Sequence, residues 1–99
     1  MTVVGSGGVV VKAVTYGPRF KKEFKKLSNE MQGQVNTTID SLIAENRPAG
    51  IRFEKLKGYA NPNIYTVHIT GNYKLYFEIN GNIAFLRRVG NHNEIDRAP

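Results

Sequence analysis

The stretch Ile64–Val89, IYTVHITGNYKLYFEINGNIAFLRRV, carries the clearest structural signal in the chain, because three strand-like segments alternate with two turn signals. The segments are rich in β-branched and aromatic residues, and they are Ile64–Thr70, Tyr73–Ile79 and Ile83–Val89. Gly71-Asn72 and Asn80-Gly81 separate them, and Asn-Gly is a strong hairpin signal because it accepts positive φ at little cost. The stretch therefore predicts a three-stranded antiparallel meander.

Side-chain alternation in the first segment assigns residues to the two faces of this sheet. Tyr65, Val67 and Ile69 share one face, because successive side chains of a strand point in opposite directions. His68 shares the other face with the two neighbouring threonines. Since apolar residues are expected to meet the rest of the core, we predict that His68 lies on the face away from the helices.

One strand and two helices are predicted upstream of the meander. Val9–Tyr16 is β-branched and typical of a strand. Gly17-Pro18 begins a helix, since proline suits the first helical turn, and Ser28 is a suitable N-cap for a second helix that ends at Arg47-Pro48. Apolar residues recur with helical spacing at Phe20, Phe24 and Leu27, then at Met31, Val35, Ile39, Leu42 and Ile43. Almost no loop joins the two helices, so we expect an antiparallel helix hairpin.

The predicted fold class is therefore α+β. It consists of an N-terminal strand, the helix hairpin and the meander, with two helices covering one face of one small sheet. Residues 9–99 are expected to form a single domain. The Gly-rich residues 1–8 are expected to be a flexible segment.

Composition limits the classes of function. The 99 residues include no cysteine, which excludes disulfides and thiolate metal sites, and no apolar run approaches the roughly 20 residues of a membrane span. Val3-Val4 and Val9-Val10-Val11 follow no charged segment, which disfavours a signal peptide. We therefore expect a cytoplasmic protein. The net charge of +6 is typical of proteins that bind nucleic acid, although it also suits an acidic protein partner or solubility alone.

The order of elements resembles the RelE/ParE toxin superfamily of bacterial toxin–antitoxin systems. The similarity covers nearly the whole chain after residue 9. Three segments carry it: Phe20–Leu27 (FKKEFKKL), Lys55–Gly58 (KLKG) before the second strand, and Tyr73–Tyr76 (YKLY). Their order and spacing are typical of this fold.

The histidines are similar to those of the YafQ-type ribonuclease branch, which has His, Asp and His where this chain has His68, Asn72 and His92. The segment Arg88-x-Gly90-x-His92 belongs to the same pattern. Asn72 replaces an acid, and Asp96 stands where a terminal Phe or Tyr is usual. The C-terminal helix of many relatives is expected to be missing.

The resemblance implies a toxin that blocks translation. It would be a metal-independent and cofactor-independent endoribonuclease that cleaves mRNA in the ribosomal A site through attack by the ribose 2′-OH. Its implied partners are a cognate antitoxin, mRNA and the ribosome, with no membrane. Two alternatives stay open: a ParE-like inhibitor that binds DNA gyrase, and a degenerate family member that only binds its antitoxin.

Such cleavage needs a general base, a general acid and cations for the phosphorane. Histidine serves either proton role near neutral pH. Our hypothesis makes His92 the acid and His68 the base, with the reverse assignment open and Asp96 orienting His92. The cations assigned to the phosphorane are Arg88 or Arg87, and those assigned to the RNA backbone are Lys55, Lys57 and Lys74, with Asn72 in the adjoining turn.

Each of these residues also has a structural interpretation. A histidine on an open strand face is often only solvated, and Arg87-Arg88 would serve equally well to protect an exposed sheet edge. The lysines of the first helix are most simply a solvated surface, with ribosomal RNA contact as the second interpretation.

Overall fold

The computed structural model describes residues 10–45, 47–60 and 62–99. Within them the elements are β1 Ala13–Tyr16, α1 Pro18–Lys25, α2 Asn29–Ile43, a 3₁₀ turn Ala49–Ile51, β2 Glu54–Ala60, β3 Asn63–His68, β4 Tyr73–Asn80, β5 Ile83–Asn91 and α3 His92–Ile95. The α+β class is confirmed. The expected flexible segment 1–8 lies outside the described residues, as does Val9, the first residue of the predicted strand.

The strands form one five-stranded sheet in the order β1-β5-β4-β3-β2. β1 lies parallel to β5, whereas β2, β3, β4 and β5 pair antiparallel in sequence order. The predicted meander β3-β4-β5 is confirmed. Strand β2 extends it to four strands and was missed, because its sequence EKLKGYA shows little β-branched character and Gly58 has a φ of 89° that interrupts the pairing.

Both helices begin where the capping signals predict. Pro18 is the first residue of α1, and the Ser28 hydroxyl accepts a hydrogen bond of 3.1 Å from the Met31 N–H at the start of α2. α2 ends at Ile43, four residues before Arg47, because Ala44 is already extended. None of the helices in the described ranges is long and apolar enough to cross a bilayer.

The main core lies between the helices and one face of the sheet. Its buried members include Phe20, Val35, Ile39 and Leu42 from the helices and Val67, Leu75, Phe77 and Leu86 from the sheet. Tyr65 and Ile69 pack against this core beside Val67, so the predicted assignment of their face is confirmed.

The opposite face is partly covered by a second, smaller core. Ile64, Tyr76 and Ile95 are its buried members, with Leu56 and Tyr59 packed against them. Ile95 comes from α3, a single helical turn that folds back onto the sheet. The expectation that a C-terminal helix is missing was therefore wrong: four residues are too few to show a helical period, and the Asn91 cap is the signal that remained, with its side chain accepting from the Asn93 N–H at 2.9 Å.

Candidate active site

The register of the sheet brings the two histidine positions to the same end of the sheet. His68 pairs with Lys74 on β4, and Lys74 pairs with Gly90 on β5. Directly paired residues share a face, and strands are roughly 4.8 Å apart, so about 10 Å separates the Cα atoms of His68 and Gly90. His92 follows Gly90 by two residues, and its N–H donates to the Asn72 carbonyl at 2.9 Å.

The surroundings of His68 keep its imidazole neutral. Burial is the largest cause that lowers the pKa of His68, followed by the positive charges of Lys74 and Arg52. Glu54 acts in the opposite direction, and the charge of His92 lowers the pKa of His68 further. The two histidines are thus close enough to interact electrostatically. A neutral imidazole at neutral pH is a competent proton acceptor.

Asp96 connects His92 to the second core. Its Oδ2 lies 3.8 Å from Nδ1 of His92, one helical turn earlier. Its Oδ1 accepts a hydrogen bond from the Tyr76 hydroxyl. The Tyr59 hydroxyl donates to the main-chain carbonyls of Asp96 and Arg97, at 3.0 and 3.1 Å. Two tyrosines from the sheet therefore hold the turn that follows His92.

Tyr76 is a permanent hydrogen-bond donor in this arrangement. Its side chain is fully buried. Burial, and then the hydrogen bond to the Asp96 carboxylate, raise the pKa of Tyr76. The phenol consequently stays protonated throughout the working pH range of a protein.

A β-bulge places both arginines on the histidine face. Tyr76 pairs with Arg88 but Phe77 pairs with Leu86, so Arg87 is the extra residue. Arg88 donates from Nε and Nη2 to Glu23 Oε2, at 3.0 and 2.6 Å, and from Nη1 to the Ala98 carbonyl at 2.8 Å.

Arg87 is held in the same manner as Arg88. It pairs with Glu78 and donates from Nε to the Pro99 carbonyl at 3.0 Å. The pairing of β5 with β1 ends at Leu86, so both arginines lie on a stretch of β5 that no described strand covers on that side, and their role in protecting a sheet edge stays a prediction. Both guanidinium groups are committed to carboxylates and to the C-terminal main chain.

Among the three lysines assigned to RNA, only Lys74 lies on the histidine face. Lys55 pairs with Tyr65, whose ring packs in the helix-side core, so Lys55 lies on the helix side of the edge strand β2. Leu56 packs in the second core, and alternation then assigns Lys57 to the same side as Lys55. Both lysines are exposed.

Two charged residues near His68 are not indicated by any pattern in the sequence. Glu54 pairs with Thr66 and therefore lies on the His68 face, where Arg52 forms an ion pair with it at 3.7 Å. Their positions depend on β2, so no signal in the sequence placed them. Asn72, which was assigned to RNA, has an exposed side chain and uses its main-chain carbonyl to anchor His92.

A cavity of about 640 Å³ opens at the other end of the histidine face. Arg19, Tyr59, Ile64 and Phe85 line it, together with Arg87, Arg88 and the C-terminal Pro99. Ile64 is the second residue of β3 and His68 is the last, so the cavity lies roughly 13 Å along the strand from the histidine. Within the described part of the chain, no three His, Asp or Glu side chains cluster as metal ligands do.

Solved structures with the same architecture include toxin–antitoxin complexes. The crystal structure of YafQ from Escherichia coli aligns with a TM-score of 0.69 at 15% identity, over 83% of this chain and 94% of that chain. The RelB–RelE antitoxin–toxin complex from Methanococcus jannaschii gives 0.62 at 24% identity, over 85% and 98%. The E. coli DinJ–YafQ toxin–antitoxin complex gives 0.67 at 17% identity, over 81% and 91%.

This chain has the RelE/YafQ toxin fold. The resemblance stated from the sequence is thereby confirmed at the level of the fold. No protein-family model matches the sequence, and no curated protein matches it significantly. The RelE/YafQ fold alone does not assign chemistry, so the function must be argued from the site.

Proposed function

We propose that this protein is the toxin of a toxin–antitoxin pair and that it cleaves mRNA in the ribosomal A site without a metal ion. The observation that carries the proposal is the row formed by His68, Lys74 and Gly90, which continues to His92 at one end of one sheet face. Two imidazoles and an ammonium group at one end of a sheet match the needs of 2′-OH attack on a phosphodiester. The RelE/YafQ toxin fold supports the same conclusion.

The general base in this proposal is His68. The lowered pKa of His68 keeps its imidazole neutral and able to accept the 2′-OH proton. His92 is the general acid that protonates the departing 5′-oxygen, and the Asp96 carboxylate lies 3.8 Å from its Nδ1. The electrostatics of His68 thus favour this division of roles over the reverse.

Lys74 is the cation that we assign to the developing phosphorane, because it lies in register between His68 and Gly90, two residues before His92. We assign Arg88 no direct phosphate contact, since Glu23 and the Ala98 carbonyl hold its N–H groups. We place Lys55 and Lys57 outside the catalytic cluster, where they contact RNA backbone beyond the edge strand.

A cognate antitoxin is the proposed partner. Two of the similar structures are complexes of a toxin with RelB or DinJ. The net charge of +6 favours a partner segment that is acidic. We propose that such a segment binds the toxin and inhibits it.

One observation supports a second candidate, a family member that binds its antitoxin but cleaves nothing. Arg88 is only 15% exposed and is paired with Glu23 at 2.6 Å. A guanidinium neutralised in this way stabilises a phosphorane less than a free one does.

The test is cleavage of ribosome-bound message by purified protein, with His92→Ala beside Asn93→Ala as the matched control. Asn93 is an exposed neighbour on the same helical turn. Loss of one proton-transfer group is expected to lower the cleavage rate about 10²–10⁴-fold, while the control keeps the wild-type rate. Wild-type cleavage by His92→Ala would eliminate the assignment.

Induced expression separates the alternatives. Rapid loss of protein synthesis with cut messages supports the nuclease. Loss of DNA supercoiling control with intact messages would indicate gyrase inhibition instead. Normal growth with intact messages would favour the member that only binds its antitoxin.

A further inference from the structure

The hydroxyl of Tyr76 takes no part in the proton transfers that we assign to His68 and His92. Tyr76 lies in the middle of β4 with 0% of its surface exposed, and its ring fills the second core beside Ile64 and Ile95. Phenylalanine would fill the same space without a buried polar atom. A buried phenol needs a hydrogen-bond partner, and here that partner is the Asp96 carboxylate.

We propose that Tyr76 is a positioning residue for His92: its hydroxyl holds the Asp96 carboxylate at Nδ1 of His92 and thereby fixes which ring nitrogen of the neutral imidazole carries the proton. This inference extends the proposed function, because it concerns the histidine that we assign as the general acid.

The two carboxylate oxygens of Asp96 have different neighbours. Oδ1 of Asp96 accepts from Tyr76, and Oδ2 lies 3.8 Å from Nδ1 of His92. An ionised carboxylate only accepts hydrogen bonds, so it favours a proton on the ring nitrogen that faces it. Nδ1 of His92 therefore carries the proton in the neutral ring, and Nε2 is left to exchange a proton with the substrate.

The fixed carboxylate depends on Tyr76 because the side chain of Asp96 is otherwise accessible to water. Its side chain is 38% exposed, and 3.8 Å exceeds the usual length of a direct hydrogen bond to His92. Without the phenol, rotation about the side-chain bonds would move the carboxylate into solvent. The raised pKa of Tyr76 ensures that the donor is present at every relevant pH.

Tyr59 provides a matched control from the same structure. Its hydroxyl also contacts Asp96, but it donates to the main-chain carbonyls of Asp96 and Arg97 and not to the carboxylate. Tyr59→Phe therefore loosens the C-terminal turn while it leaves the carboxylate bonded to Tyr76. Tyr76→Phe instead frees the carboxylate and leaves the hydrogen bonds from Tyr59 to the turn in place.

The decisive experiment is long-range ¹H–¹⁵N NMR of the histidine ring nitrogens in the full chain, at a pH at which His92 is neutral. In the wild type we expect the tautomer with the proton on Nδ1 to predominate. Tyr76→Phe and Asp96→Asn should both move His92 toward the tautomer with the proton on Nε2, whereas Tyr59→Phe should not. The proposal is overturned if Tyr76→Phe keeps the wild-type tautomer ratio.

A measurement on the wild type keeps the test informative if Tyr76→Phe does not fold. The hydroxyl proton of Tyr76 should give a slowly exchanging ¹H signal, because it is buried and bonded. Asp96→Ala should abolish that signal. Absence of a protected hydroxyl signal in the folded wild type would refute the hydrogen bond itself.

Cleavage kinetics supply the functional readout. In Tyr76→Phe, kcat is expected to fall roughly 10-fold to 100-fold with KM unchanged, as for other outer contacts to a functional histidine. The tautomer of His92 is measured by NMR without any cleavage. A protein that cuts no RNA would therefore refute the proposed function, while the NMR experiment would still decide whether Tyr76 positions His92. A KM that rises while kcat is unchanged would contradict the positioning role.

Discussion

Replacement of Glu23 by alanine should destabilise this protein more than any other single change on the exposed side of α1. The carboxylate of Glu23 accepts two hydrogen bonds from Arg88 through Oε2, at 3.0 and 2.6 Å. Its Oε1 accepts from the Val89 N–H at 3.1 Å, on the part of β5 that extends beyond β1. Glu23 therefore fastens the first helix to the sheet and completes the hydrogen bonding of a strand.

The magnitude follows from these contacts and from their burial. The side chains of Arg88 and Glu23 are 15% and 21% exposed, so the pair is neither fully buried nor a surface ion pair. Removal of one partner of a buried pair costs about 3–5 kcal/mol, and water that reaches the freed Arg88 lowers that cost. We expect a loss of about 2–3 kcal/mol in the free energy of unfolding. Alanine is a good helix former, so helix propensity adds no penalty.

Urea unfolding followed by circular dichroism measures this loss, with Lys22→Ala as the control from the adjacent, exposed position of α1. The control should change the free energy of unfolding by no more than about 0.5 kcal/mol. For a domain of 99 residues, Glu23→Ala should also lower Tm on the order of 10–20 °C. If Glu23→Ala and Lys22→Ala unfold at the same urea concentration, the contact of α1 with Arg88 does not stabilise the fold.

Two further predictions concern the site. The pKa of His68 is lower in the folded chain than its ordinary value of 6.5, so the unfolded chain binds the proton more readily. The free energy of unfolding should therefore fall as the pH drops through the window just below 6.5. His68→Gln should remove that part of the pH dependence, which unfolding experiments at pH 5 and pH 7.5 measure. Gly90→Ala would bring a Cβ to 2.8 Å from Cδ1 of Ile95, so we expect a loss of about 1–2 kcal/mol in unfolding experiments and altered NMR shifts at His92. Gly33→Ala on the exposed surface of α2, where a Cβ meets nothing within 4 Å, should instead stabilise by about 0.5–1 kcal/mol. Equal stability of the two glycine variants would contradict the packing of Ile95 on Gly90.

Most of the fold could be predicted from the sequence, because local sequence signals determine its elements. Alternation in Ile64–Thr70 identified the buried face of β3, and Asn80-Gly81 marked the hairpin between β4 and β5. Ser28 marked the start of α2. Strand β2 was not predicted, because its pairing with β3 has a register shift between Lys55 and Ala60 and its sequence therefore shows no regular period.

The site could be predicted from the sequence only in part. The features that the sequence did not predict depend on contacts between residues that are distant in the chain. His68 and Lys74 follow from alternation and one hairpin, which sequence reasoning handles well. The pairing of Arg88 with Glu23 spans 65 residues, and nothing local in either residue indicates it. A sequence pattern shows that Arg88 is a cation but not that its charge is already neutralised.

The second core holds the turn that contains His92 against the sheet. Ile95 packs where Gly90 has no side chain, and this contact holds α3, which begins at His92, against β5. Tyr76 belongs to the same core and also bonds to Asp96. The residues that close the open face of the sheet are therefore the ones that position the candidate acid. A substitution in this small core should for that reason alter His92 before it unfolds the larger core on the helix side.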